Sequence, residues 1–138
     1  MIKMRVMLDT NVIISALLFP SAKMNAMMQC VLMKHRLVLS SYVVDELKRV
    51  VRRKFPQKEA VIDKLLTMLS FEYAYTPEKV EDGLFYIRDI KDYPVLYTAI
   101  LEDVDVLVTG DRDFADIDIE KPEIMTPAEF IEKFLSVT

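Results

Sequence analysis

Val104-Asp105-Val106-Leu107-Val108-Thr109-Gly110-Asp111 is a β-branched run that stops at a Thr-Gly-Asp turn. Such a run, bounded by a turn, is the pattern of a strand buried on both faces of a parallel sheet. A second short apolar strand, Val6-Met7-Leu8, also runs into a polar turn, Asp9-Thr10-Asn11. Both strands therefore end on an aspartate. In an open parallel sheet, ligands bind outside the carboxyl ends of the strands, where strand order reverses. If these two strands are neighbours there, Asp9 and Asp111 face one crevice.

Between these strands the pattern alternates. Val12–Leu18 is helical and stopped by Pro20, Asn25–Met33 is a second helix, and Leu37-Val38-Leu39 is a second strand. Ser40 or Ser41 can cap a third helix, whose apolar positions Val43, Leu47, Val50 and Val51 follow the 3.6-residue period until Pro56. A fourth helix over Ala60–Leu69 carries Val61, Leu65 and Leu69 on one stripe. Phe71–Arg88 reads as one strand and a short helix. Pro94 then opens a helix over Val95–Leu101, Ile124-Met125 is a last edge strand, and Pro127–Phe134 is a closing helix. Strands separated by helices imply crossovers and a parallel sheet. The expected fold is a three-layer α/β/α sandwich with four or five short strands, as one domain over residues 1–138.

Composition fits this reading. With 52% hydrophobic and 29% charged residues, the 138-residue chain has a globular composition and not a disordered one. The longest apolar stretches, Val12–Phe19 and Ala26–Met33, fall well short of the roughly 20 residues that span a bilayer. Met1-Ile2-Lys3-Met4-Arg5 leads into a strand with no small-residue cleavage site, so no secretory signal is read. The single cysteine, Cys30, has no internal partner and lies among apolar residues, which points to a buried thiol in a reducing, cytoplasmic setting. A net charge of −4 runs against a nucleic-acid partner, which usually leaves a basic footprint.

Two further acids join the pair. Asp92 lies at the entry to the helix opened by Pro94, and Glu46 lies in the first turns of the third helix, bordering its apolar stripe. Carboxylates gathered without basic partners repel one another and resist ionisation. A hard cation resolves this: Mg²⁺ or Mn²⁺ prefers oxygen ligands and commonly joins a phosphate through one or two carboxylates. Thr10, Asn11, Ser15 and Thr109 are neutral hydrogen-bonding groups beside these acids, suited to orienting ligands and waters. Each acid has a plainer reading. Asp9 can simply cap a helix, Asp92 can answer a helix dipole, Glu46 can be a solvated helix residue, and Asp111 with Asp113 can be a polar turn. The joint pattern carries the argument, and no single residue does.

Leu8-Asp9-Thr10-Asn11-Val12, Glu46, Lys91-Asp92-Tyr93-Pro94-Val95-Leu96 and Thr109-Gly110-Asp111-Arg112-Asp113 together resemble the PIN domain family, over nearly the whole chain. The likeness is greatest to small stand-alone prokaryotic members described as toxins of toxin–antitoxin pairs. The resemblance implies a Mg²⁺- or Mn²⁺-dependent endoribonuclease. It implies catalytic and metal-binding roles for Asp9, Glu46, Asp92 and Asp111, with Asp113 at an additional, less regular acidic position. It also implies Thr10 or Asn11 supporting the first Asp, Thr109 supporting the last, a homodimer, and an antitoxin whose peptide enters the groove. One departure stands out: relatives often read Asp-Asp where this chain has Asp92-Tyr93. Asp89 is the alternative should the register differ.

Positive charge is clustered on the helix that carries Glu46, in Lys48, Arg49, Arg52, Arg53 and Lys54. Arg49 and Arg53 fall close to the Glu46 face and are candidates for RNA phosphates. A solvated helix end with favourable cations accounts for them equally well. Arg112, between two acids, reads as a local salt bridge. The Met24, Met27, Met28 and Met33 helix reads as core, with a dimer or antitoxin groove as the alternative. His35 is the only histidine and has no carboxylate or cysteine partner in sight, which disfavours a zinc site.

Two rival functions remain at this stage. A metal-dependent phosphatase with an aspartate nucleophile wants an acid two residues further on, where this chain has Asn11. A non-catalytic binding module would have no use for all four acidic positions.

Overall fold

The computed structural model describes residues 3–135. The reading of Met1-Ile2 in the N-terminal segment, and positions 136–138 of the expected domain, lie outside the described residues. The elements are β1 (Arg5–Leu8), α1 (Thr10–Leu17), α2 (Ala22–Lys34), β2 (Arg36–Ser40), α3 (Ser41–Lys54), α4 (Glu59–Met68), β3 (Glu72–Ala74), α5 (Tyr93–Leu101), β4 (Val106–Val108), β5 (Glu123–Met125) and α6 (Pro127–Leu135). Short 3₁₀ turns occupy Pro56–Lys58, Ile90–Asp92 and Arg112–Phe114.

Among the described residues the strands form one sheet in the order β3-β2-β1-β4-β5, every pair parallel. Successive strand residues point to opposite faces. Val6, Met7 and Leu8, Leu37, Val38 and Leu39, and Val106, Leu107 and Val108 are all buried, so both faces of the central sheet are covered. That is the expected three-layer α/β/α sandwich, with five strands. The chain builds outward from β1 to β2 and β3, then returns to the far side of β1 with β4 and β5. Strand order therefore reverses between β1 and β4, and the two Asp-terminated strands are neighbours in register from Val6–Val106 to Leu8–Val108.

Several boundaries differ from the sequence reading. α1 starts at Thr10 because Asp9 caps it, and α2 starts at Ala22 because the Ser21 hydroxyl accepts from the Met24 amide. β4 is shorter than Val104–Val108, although Val104 is fully buried. In α4 the stripe is shifted: Ile62 is the buried residue, while Val61 is 46% exposed. The segment 71–88 contains β3 but no helix. Its order comes from side chains: the Phe85 ring stacks on Tyr93 at 4.3 Å, and the Tyr93 hydroxyl donates to the Glu81 carbonyl.

The methionine helix is core over most of its length, as its first reading has it. Met27, Met28 and Val31 are core, Met24 packs against it, and Met33 is exposed. Cys30 is buried, and burial pushes its thiol up. His35 is also buried. Its Nδ1 accepts from the Met4 amide at 3.0 Å, and its ring meets Phe130 and Phe134 edge-on. No helix among the described residues is long and apolar enough to cross a membrane.

Candidate metal centre

The ladders on both sides of β4 continue past the strands. The Asp9 amide donates to the Val108 carbonyl at 3.0 Å across the β1–β4 seam, and the Thr109 amide donates to the Met125 carbonyl of β5 at 2.9 Å. Backbone pairing thus sets Asp9 and Thr109 beside each other at the carboxyl edge of the sheet. The Thr109 hydroxyl donates to Asp9 Oδ2 at 2.8 Å, and the Thr10 amide donates to Oδ1 at 2.8 Å. Asp9 is only 6% exposed. Burial raises its pKa most, the Thr109 and Thr10 hydrogen bonds oppose that, and Glu46 and Asp111 raise it further. The capping reading of Asp9 is correct but incomplete, because its second oxygen is held by a group a hundred residues away.

Thr10 joins the next acid to the first. Its hydroxyl donates to Glu46 Oε1 from α3, so Asp9 and Glu46 are linked through one residue. Asp111 follows β4, where its amide donates to the Thr109 hydroxyl at 3.1 Å and its Oδ1 accepts from the Asp113 amide at 2.9 Å. Thr109 therefore accepts from one acidic residue while donating to the other.

Asp92 occupies the N-cap position of α5, yet its side chain makes no capping hydrogen bond. Its Oδ2 is buried and, among the described residues, has no hydrogen-bond partner. Its pKa is pushed up to about 8, first by burial, then by Asp111, Asp9 and Asp89. The plain helix-cap reading of Asp92 leaves that oxygen unexplained. Single carboxylate oxygens of Asp89, Asp92 and Asp113 lie within 4.8 Å of one another. Asp89 thus stands beside Asp92 in the same cluster, where the register alternative placed it.

Other expected residues fall at the rim. Asn11 and Ser15 are exposed, one turn apart on α1, and among the described residues neither hydrogen-bonds to an acid. Arg49 and Arg53 are exposed on α3. The expected salt bridge of Arg112 is absent among the described residues. Asp113 pairs instead with Arg88, Nε to Oδ1 at 3.6 Å, because Arg88 arrives from the irregular segment on the cluster side.

Tyr42 was not found from sequence. It lies one turn before Glu46, and its hydroxyl donates to the Lys91 carbonyl at 3.0 Å, tying α3 to the turn that carries Asp92. Its pKa is raised by burial and then by Glu46, while Arg49 acts the other way. The four-residue spacing from Tyr42 to Glu46 was the available signal. Arg88 left none, since nothing in sequence aims an irregular segment at Asp113.

The arrangement gathers acids from the ends of β1 and β4, from α3 and from the entry to α5, with Arg88 the sole cation paired to any of them among the described residues. The profile of one family, described as PIN domain, matches residues 5–113. No curated protein sequence matches the chain. Thirteen chains of solved structures match it. One is the crystal structure of VapBC2 from Rickettsia felis bound to a DNA fragment from their promoter. It is 23% identical with a TM-score of 0.67, over 88% of this chain and 97% of that one. At that identity the likeness is one of fold.

Proposed function

The chain belongs to the PIN domain family, and from that premise we propose that it is a divalent-metal-dependent endoribonuclease, the toxin of a toxin–antitoxin pair. The observation that carries this reading is the state of Asp92, whose buried Oδ2 has no hydrogen-bond partner among the described residues and whose carboxyl pKa is pushed up to about 8 by burial and then by neighbouring acids. A site built to lack a positive charge fits a cation. The donor set is all carboxylate oxygen, which suits Mg²⁺ or Mn²⁺ and not zinc. Asp9, Glu46, Asp92 and Asp111 would hold it, with Asp113 and Asp89 beside them.

When bound, such an ion supplies Lewis acidity and charge neutralisation to a phosphodiester. The protein's own groups do the remainder. Thr109 and the Thr10 amide fix both oxygens of Asp9, the Thr10 hydroxyl fixes Glu46, and Tyr42 holds the Asp92 turn against α3. Locked ligands lose little entropy when a cation arrives. Without cations the acids repel a polyanion, so substrate binding and metal binding are coupled. Arg49 and Arg53, on the exposed side of α3, are proposed phosphate contacts.

One nuclease domain over residues 1–138, working in the cytoplasm, is part of the same proposal. An antitoxin partner is supported by the resemblance to toxin chains and by the fold shared with VapBC2. A homodimer belongs to the same proposal. Exposed Leu32 and Met33 on α2 offer apolar surface for either association.

The test is cleavage of labelled single-stranded RNA by the purified protein in Mn²⁺, Mg²⁺ or EDTA, beside a variant carrying Asp9→Asn and Asp111→Asn. Cutting that needs metal and is lost in the variant supports the nuclease. Equal cutting by wild type and variant marks contamination. If that variant also kept any growth inhibition in cells, catalysis would be abandoned for a binding role.

A further inference from the structure

Residues 85–88 are irregular backbone along which burial and exposure alternate. Phe85 turns inward to stack on Tyr93, and Ile87 is buried, while Tyr86 is 86% exposed and the Arg88 side chain 74% exposed. Tyr86 and Arg88 are thus both solvent-facing, two residues apart in the chain. The buried neighbours fix the backbone, so the exposed ring is held at a set position with little entropy left to lose on binding. Arg88 reaches Asp113, which belongs to the acidic cluster with Asp89 and Asp92.

We propose that Tyr86 and Arg88 grip single-stranded RNA entering the acidic centre, the tyrosine stacking on a base and the guanidinium holding a phosphate. This rests on the nuclease reading above and assigns residues to its substrate. An aromatic ring interleaved with a cation is the arrangement that holds single strands without regard to sequence, since every base has a stacking face. The acidic chain has to find cations close to its reaction centre, and Arg88 is already there. Its pairing with Asp113 is solvent-exposed on the arginine side and weakly held. A cation held at the cluster would satisfy Asp113 and leave the guanidinium available for a phosphate, which it can meet in bidentate fashion. Leu84 and Ile90 are exposed in the same segment, and RNA is favoured over a peptide because the ring is paired with a cation that already reaches the acidic cluster.

The experiment measures anisotropy of a labelled oligoribonucleotide in Ca²⁺ and its cleavage in Mn²⁺, using the full chain and its Tyr86→Ala, Tyr86→Phe and Arg88→Ala variants. Tyr86→Ala should weaken binding about tenfold and Tyr86→Phe should stay within about twofold of wild type. A ribose-phosphate chain without bases should bind wild type and Tyr86→Ala alike. Arg88→Ala should make the slope of log affinity against log salt shallower by about 0.7. Wild-type cutting with Tyr86→Ala binding RNA unchanged overturns this assignment and leaves the nuclease standing. A wild type that neither binds nor cuts RNA overturns both. Loss confined to capture of a partner protein, with RNA binding intact, makes the segment a protein-docking edge and also overturns it.

Discussion

Thr109 donates to Asp9 Oδ2 at 2.8 Å across the seam between β1 and β4, and through the same hydroxyl it accepts from the Asp111 amide. One small side chain therefore sets the acids of two neighbouring strands relative to each other. Thr109→Val removes the bond and leaves a buried carboxylate short of a donor. The expected cost is about 1.5–3 kcal/mol in denaturant unfolding without metal, with Thr109→Ser close to wild type. Equal stability of the Val and Ser variants would show that the bond does not hold Asp9.

Asp92→Asn should stabilise the metal-free protein. The folded pKa of Asp92 is raised to about 8, above its ordinary value, so its ionisation opposes folding. That cost is absent near pH 4, grows as pH rises and is complete above about pH 8. Asp92 is only half-buried, so solvent screening trims the gain to about 1 kcal/mol, or roughly 2–5 °C in melting temperature. Melting curves in EDTA from pH 4 to 9 check this, and a gain that does not grow with pH would count against it.

Metal binding should release a proton below pH 8. A cation takes the ionised form of Asp92, so Mg²⁺ affinity is expected to rise about tenfold per pH unit between pH 6 and 8 and then level off. Calorimetric titration in two buffers of different ionisation enthalpy counts the proton. A flat profile across this range would remove Asp92 from the ligand set.

His35 sets a separate limit on acid stability. Burial, then Lys34, lowers its pKa, so the fold holds it neutral. Its contribution is present above its ordinary pKa of about 6.5 and is lost as pH falls below it. His35→Asn keeps an acceptor for the Met4 amide but cannot titrate. The difference between wild type and this variant should therefore shift against wild type from pH 7 to 5, as read by thermal unfolding.

The parts legible in sequence were those where chemistry and period coincide. β1 and β4 announce themselves by apolar runs, and each ends on an aspartate that lies at the switch point. In α3 the stripe of Val43, Leu47 and Val51 is buried as the period requires. α4 misled because it carries apolar residues at 61, 62, 65, 66, 68 and 69, which fit two stripes, and only packing selects Ile62. Glu46 was legible through family resemblance, since its tie to Thr10 spans 36 positions. The segment through Arg88 was opaque: its order depends on a ring stack and on Tyr93, and no local period encodes either.

Pairing of β1 with β4 also governs when the candidate site can form. During synthesis the first strand leaves the ribosome about a hundred residues before the strand that completes its flank, and closing so long a loop is slow. Asp9 must wait for Thr109, and the cluster waits for Asp113. A nascent or truncated chain lacking the later strand holds acids scattered along a polymer, with no shared site. The candidate site is therefore a property of the finished sheet, and no shorter chain lacking β4 can present these acids together.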